Sequence, residues 1–296
     1  MESHARAVTR SPVVDDGLLL GEPTFVLDNV EYAYDGDLSA LAGVDLTIPA
    51  GEVLTILGAN GSGKSTLLKL LDGLFFPTHG EIRVFGKLLS EETLHDEQFL
   101  FSFRRQVGLV FQDPDVQLFS PTVWDEVAFG PLQMGLSEQE VSERVDEALS
   151  LLRIENLRDR TPHRLSGGEK KRVAIASVLC LWPDIWLLDE PTAGLDPRSQ
   201  SWLIDFILDQ RGQGKTVVIA THDLDIVETV ADRVCVLGED HRVARVGSPA
   251  EILMDRDFLL DCNLIHEHQH LHRDEIHRHP HTHFATHAHD HGDVGG

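Results

Sequence analysis

Glu52-Val53-Leu54-Thr55-Ile56-Leu57-Gly58-Ala59-Asn60-Gly61-Ser62-Gly63-Lys64-Ser65-Thr66 passes from an apolar run through a glycine-rich loop to a lysine and two hydroxyl residues. The apolar run, Glu52–Leu57, has the length and branching of a buried strand. The residues from Lys64 onward have helical spacing that ends near Asp72-Gly73, where glycine suits a left-handed cap. A loop of the form GxxxxGK[ST] between a strand and a helix is a phosphate cradle. Gly58, Ala59, Asn60, Gly61, Ser62 and Gly63 supply backbone N–H groups, and the helix N-terminus adds the positive end of its dipole. Lys64 would then neutralise β- and γ-phosphate charge, Ser65 would ligate Mg²⁺, and Thr66 follows it into the helix.

Working outward, Asp184-Ile185-Trp186-Leu187-Leu188-Asp189-Glu190 is a second apolar strand, tipped by two acids. Asp189 at the tip would hold the Mg²⁺ shell, and Glu190 would polarise the attacking water. Further strands are expected at 81–85, 106–111, Thr216–Ala220 and Arg233–Leu237. Between about 113 and 178 the character is helical. There Ser137-Glu138-Gln139-Glu140 forms a capping box ahead of the stripe Val141, Val145, Ala148, Leu149 and Leu152. The expected fold class is α/β: a P-loop core with a mostly parallel sheet, an antiparallel β-subdomain across residues 24–57, and a helical subdomain. Residues 1–23 read as a mobile arm, 24–254 as the ATPase domain, and 255–296 as a disordered histidine-rich tail unable to supply a core.

The 296 residues are 42% hydrophobic and 25% charged, values usual for a globular chain, and the net charge is −24. So acidic a surface repels phosphate backbones and anionic lipid, which argues against nucleic acid and against direct membrane binding. The longest apolar stretch, Val173 to Trp182, is about half a bilayer span, and the first residues do not read as a secretory signal. Cys180, Cys235 and Cys262 are odd in number and widely spaced, consistent with reduced thiols in the cytoplasm rather than a disulfide framework.

Leu165-Ser166-Gly167-Gly168-Glu169-Lys170-Lys171-Arg172 resembles the signature of ATP-binding-cassette ATPases. Ser166, Gly167 and Gly168 at a helix start form a second phosphate cradle. The resemblance implies a head-to-tail dimer in which each signature closes on the other subunit's ATP. It also implies that Gln112 is the glutamine that contacts the γ-phosphate and the metal, so that Ser65, Gln112 and Asp189 form the Mg²⁺ set. His222 resembles the switch histidine, Ala193-Gly194-Leu195-Asp196 the loop that crosses the dimer interface, and Tyr34 the aromatic that stacks on adenine. Residues 111–131, together with Glu169 in place of the usual glutamine, resemble energy-coupling-factor importer ATPases of the cobalt and nickel type. Phe119, Val123, Trp124 and Phe129 are expected to line a groove for a transmembrane coupling subunit.

The C-terminal histidines fall mostly at every second position: His266, His268, His270, His272, His277, His279, His281, His283, His287, His289 and His291. Neutral imidazole suits Ni²⁺, Co²⁺ and Zn²⁺. The expected protein is therefore an ATP- and Mg²⁺-dependent ATPase at the cytoplasmic face of the membrane, powering uptake of a divalent transition metal, nickel or cobalt, through a separate membrane complex. It would pair with itself or a paralogue, and with a coupling subunit and a substrate-binding membrane subunit. Vitamin uptake by the same motor, or ATP-regulated metal storage, are the alternatives.

Overall fold

Two long strands, β1 (Pro23–Tyr34) and β2 (Leu38–Pro49), pair antiparallel at the start of the computed structural model, which describes residues 23–35, 38–272 and 275–281. Next comes β3 (Val53–Gly58), buried at every position, and then α1 (Lys64–Leu71). The chain returns as β4 (His79–Val84) beside β1, and the short β5 (Lys87–Leu88) completes a four-stranded antiparallel sheet in the order β2-β1-β4-β5. Helices α2 (Glu91–Leu94) and α3 (Glu97–Gln106) lead into β6 (Val107–Val110). A helical insertion follows: α4 (Pro114–Gln117), α5 (Val123–Gln133), α6 (Glu138–Leu151) and α7 (Gly167–Leu179).

The core then resumes with β7 (Ile185–Asp189), α8 (Pro197–Gly212), β8 (Thr216–Thr221), α9 (Leu224–Val230), β9 (Arg233–Leu237) and β10 (Val243–Gly247). The main sheet has the order β10-β9-β3-β8-β7-β6, parallel except for the edge strand β10. The α/β class with both an antiparallel and a mostly parallel sheet is as expected. The assignment of residues 24–57 to one antiparallel edge is not: residues 53–58 lie at the centre of the parallel sheet. A strand buried on both faces needs parallel neighbours covered by helices, and this run has no polar side to offer solvent.

Alternate residues of the central strands feed two cores. Val53, Leu57, Trp186, Leu188, Val217 and Ile219 face the helical side. Leu54, Ile56, Leu187, Val218 and Ala220 face α1 and the antiparallel sheet. Register brings Leu57 opposite Thr221 and Asp189 opposite Ala220, so the C-terminal tips of β3, β8 and β7 end side by side. A crevice at such strand ends is where open α/β sheets bind ligands.

The boundary expected at residue 254 moves. After α10 (Pro249–Leu253), α11 (Arg256–Asp261) packs on the domain, and Leu259, Cys262, Leu264 and Ile265 are buried in the helical-side core. Asp255 caps α11 through Phe258 N–H, and its carboxylate pairs with Arg245 at 2.6 Å. Leu259 lies within this capped helix and the other three directly follow it, so the segment joins the core. Beyond it, β11 (His266–His272) pairs antiparallel with β12 (Glu275–His281), against the expectation of a structureless tail. Alternating histidine is a period-two pattern, which a strand pair accommodates. His266 stands opposite His281, His268 opposite His279, and His270 opposite His277. Of the arm expected at residues 1–23, Pro23 opens β1 and residues 1–22 lie outside the described residues, as do the histidines His283, His287, His289 and His291.

Candidate functional site

The loop after β3 depends on two glycines. A Cβ on Gly58 would sit 2.4 Å from Ser62 Oγ and 2.9 Å from the Leu237 carbonyl. Gly63 has φ +108°, and a Cβ there would lie 2.2 Å from the Ala40 carbonyl oxygen on β2. That left-handed conformation and that close approach admit only glycine. Gly63 is also the N-cap of α1 and supplies no side-chain cap, so the first N–H groups of the helix are left for a ligand. Ser62 Oγ is buried without a hydrogen-bond partner in this loop, a further group that a phosphate oxygen would satisfy. Lys64 Nζ donates to the carbonyls of Gly58 at 2.8 Å and Ala59 at 3.1 Å.

At the neighbouring strand tip, Ser65 Oγ donates to Asp189 Oδ1 at 2.9 Å. Burial pushes the Asp189 carboxyl up, against the pull of that hydroxyl. A hydroxyl and a buried carboxylate side by side, with Gln112 lining the cleft beside Ser65, offer oxygen donors that fit a hard divalent cation.

Glu190 is 5% exposed and held from four directions. Its N–H donates to the Ala220 carbonyl at 2.8 Å, and Thr221 Oγ1 donates to its Oε2 at 3.2 Å. His222 Nδ1 lies 2.9 Å from Oε1, and Lys64 Nζ lies 3.4 Å from the same oxygen. Its φ is +41°, unusual for a non-glycine residue, and the surrounding bonds fix it there. A carboxylate so anchored faces one direction, as a base for an incoming water must.

Lys64, Ser65 and Glu190 line a cleft of about 490 Å³ together with Tyr34, Ala40, Gln112 and His241, and Asp189 and His222 join it through their hydrogen bonds to Ser65 and Glu190. The Tyr34 hydroxyl is 3.0 Å from Thr66 Oγ1, and its ring meets Tyr32 and Phe75 edge-on. His241 escaped the sequence reading. Its Nδ1 lies 3.3 Å from the Ser62 carbonyl because β9, which precedes its turn, is the neighbour of β3. Thr221 was missed as well, although its place at the tip of β8 before His222 was a usable signal.

The signature residues are elsewhere. Ser166 caps α7, donating to Glu169 Oε2 at 2.8 Å and receiving Glu169 N–H at 3.4 Å. The hydrogen bonds from Ser166 hold the Glu169 carboxyl below the usual carboxylate range. Ser166 and Gly168 line a separate cleft of about 350 Å³ with Arg172, Asp196 and Ser199, and this cleft shares no residue with the first. The fold thus gathers Tyr34, Lys64, Ser65, Gln112, Asp189, Glu190 and His222, and leaves Ser166, Gly167 and Gly168 apart.

The expected groove is partly corrected. Phe119 is 63% and Phe129 45% exposed, in an edge-on pair 5.0 Å apart, and Val116 is exposed nearby. Val123 is buried and Trp124 packs against the core, because α5 turns that side inward.

The family model for ABC transporters matches residues 41–193. The nickel import ATP-binding protein of Rhodobacter capsulatus is 51% identical over 234 residues, covering 78% of this chain and 91% of that one. The energy-coupling factor transporter ATP-binding protein of Methanocaldococcus jannaschii is 42% identical, covering 79% of this chain and 82% of its own. Among solved structures, cbiO1 from Clostridium perfringens, part of the ABC transporter complex cbiONQ, aligns at TM-score 0.69 and 41% identity over 82% of this chain and 95% of that one.

Proposed function

The chain belongs to the ABC transporter family and is an ATPase, and from that premise we propose that it powers uptake of nickel or cobalt as the motor of an energy-coupling-factor importer. The observation that carries the mechanism is the separation of the two phosphate-binding surfaces on one chain. Each is half a site, and the Ser166–Gly168 helix start of a second copy or a paralogue completes the cleft around Lys64.

In that composite site Lys64 and the N–H groups of the loop and α1 bind the β- and γ-phosphates. Ser65, Asp189 and Gln112 would hold Mg²⁺, which neutralises phosphate charge when bound. Glu190 takes the proton from the attacking water as its oxygen bonds to the γ-phosphorus and the bond to the β-phosphate oxygen breaks. His222, hydrogen-bonded to Glu190, orients that carboxylate and reaches toward the γ-phosphate. Tyr34 receives the adenine.

Among the described residues no helix is long and apolar enough to cross a membrane. On the likeness to transporter ATPases, the motor acts at the cytoplasmic face through partner subunits, docking by the exposed Phe119 and Phe129 face. Two features support a metal substrate: the similarity to a nickel import protein, and the eleven histidines from His266 to His291. Their imidazoles bind arriving ions on the inner side and buffer them. The test is uptake of labelled nickel and cobalt by cells with and without this ATPase, beside a labelled vitamin. Loss of metal uptake alone is the expected result. Loss of vitamin uptake with metal uptake unchanged overturns the substrate, and no change in either favours an ATP-regulated metal store.

A further inference from the structure

Lys171 has no part in the chemistry above, yet it is buried, at 2% exposure, on α7 five residues after Ser166. An ammonium taken out of water is costly unless its hydrogens are well used. Burial pushes its pKa down to about 8, against the upward pull of Asp189, Asp113 and Glu190. Its hydrogen bonds go to two backbone carbonyls, Phe111 O at 3.2 Å and Gln112 O at 2.8 Å. What Lys171 grips is therefore the main-chain path by which β6 delivers Gln112 to the nucleotide cleft.

Two other side chains fasten the same segment to α7. Gln117 Oε1 accepts the Phe111 N–H at 3.2 Å, while its Nε2 donates to the Ala174 carbonyl at 2.9 Å and to Ser177 Oγ at 3.1 Å. Lys170 pairs with Asp115 at 2.6 Å, but that carboxylate is half exposed, and such pairs contribute about 0–1 kcal/mol. Lys171 is the link nearest the chemistry, since one of its two acceptors belongs to Gln112 itself. From Lys171 the helix runs about 7.5 Å back to Ser166, a rigid distance at 1.5 Å per residue.

We propose that Lys171 is a positioning residue that locks the backbone of Gln112 to the signature helix, so that γ-phosphate contact in one cleft and presentation of Ser166–Gly168 to the other cleft move as one body. The inference rests on the roles given above to Gln112 and Ser166. A shift of Gln112 toward a γ-phosphate pulls its own carbonyl and that of Phe111. The ammonium bound to both transfers the shift to α7. Glutamine or methionine at 171 would leave both carbonyls without a charged donor and free Gln112 to move alone. Arginine offers several N–H donors in a planar fork and can hold both.

The test uses the full chain with Lys171→Met and Lys171→Arg, each also combined with Glu190→Gln. Expected for Lys171→Met is an ATP affinity within about twofold of the parent, because the loop before α1 is untouched. Its kcat, and ATP-driven dimerisation in the Glu190→Gln background, should each fall at least about tenfold from loss of a charged hydrogen-bond donor. Lys171→Arg should recover kcat to within about threefold. If the methionine variant is insoluble, Lys171→Gln is read in the same way. Parent-like kcat and dimerisation in Lys171→Met overturn the proposal. So does an equal loss of ATP affinity and kcat that arginine fails to rescue, which is the mark of a purely structural lysine. Gln112→Ala and Ser166→Arg run in parallel: if they abolish turnover and Lys171→Met does not, only the link is wrong. If neither affects turnover, the roles assigned to Gln112 and Ser166 fall, and the inference with them.

Discussion

Replacing Glu190 by glutamine keeps the shape of the side chain and removes its ability to take a proton. The amide oxygen can still accept from Thr221 Oγ1, now 3.2 Å from Oε2, while the amide NH2 takes the place of Oε1 and can donate to His222 Nδ1, now at 2.9 Å. Geometry is thus conserved and the loss is chemical. General-base help is worth about 10²–10⁴ in rate, or about 3–5 kcal/mol at 1.36 kcal/mol per tenfold. The many bonds that fix this carboxylate at φ +41° place the expected loss in the upper half of that range. Binding should move the other way. The carboxylate lies 3.4 Å from Lys64 Nζ, and its removal frees the ammonium for phosphate, so MgATP affinity should hold or rise. Steady-state phosphate release at saturating MgATP gives the first quantity, and titration with a fluorescent ATP analogue gives the second. A rate loss below about tenfold refutes Glu190 as the base. A loss of ATP affinity greater than the loss of rate would mean that Glu190 shapes the loop instead.

Truncation after Met254 removes the buried Leu259, Cys262, Leu264 and Ile265, and at about 1.5–3 kcal/mol per large side chain it should lower Tm by about 10–20 °C. Truncation after Ile265 should leave Tm unchanged and basal ATPase within about twofold, since every proposed catalytic group lies upstream, yet abolish nickel and zinc binding in equilibrium dialysis. In the full chain that metal binding should fall as pH drops through about 6.5, where imidazole protonates. Asp72, paired with Arg104 at 3.0 Å, has its pKa raised to about 6 because burial outweighs the arginine. Between about pH 4 and 6 the folded chain binds a proton that the unfolded chain has lost, so this group's contribution to stability falls as pH rises across that window, by about 3 kcal/mol. Asp72→Asn should flatten the slope, seen as a smaller difference between urea midpoints at pH 4.5 and 6.5; an unchanged slope would show that other groups set it.

The nucleotide loop was legible because its chemistry is local: a strand, six loop residues and a helix start, all contiguous. Asp189 and Glu190 were legible because strand tips converge in a parallel sheet whatever its order, and His222 through the family resemblance of its place after a strand. His241 was not, since only the adjacency of β9 and β3 carries its turn to Ser62. Lys171 was hidden for another reason. In the run Glu169-Lys170-Lys171-Arg172 a lysine reads as solvated, and only the path of Gln112 across α7 reveals an acceptor beneath it. The strand at residues 53–58 was grouped with the antiparallel pair because sequence neighbours usually pair, whereas its partners β8 and β9 come more than 150 residues later. On α5 the spacing of Val123 and Val127 turned one side inward, so exposure fell to Phe129 rather than Trp124.

The composite site can be tested by mass. In the Glu190→Gln background the 33.0 kDa chain should shift to twice that mass in light scattering when MgATP is added. Adding Ser166→Arg to the same chain places a bulky cation where the partner's γ-phosphate must approach. Expected is a monomer that still binds one ATP, because the cleft around Lys64 shares no residue with that of Ser166. A double variant that still dimerises with MgATP, or a Ser166→Arg single variant that hydrolyses ATP at the parent rate as a monomer, would contradict a site shared between two chains.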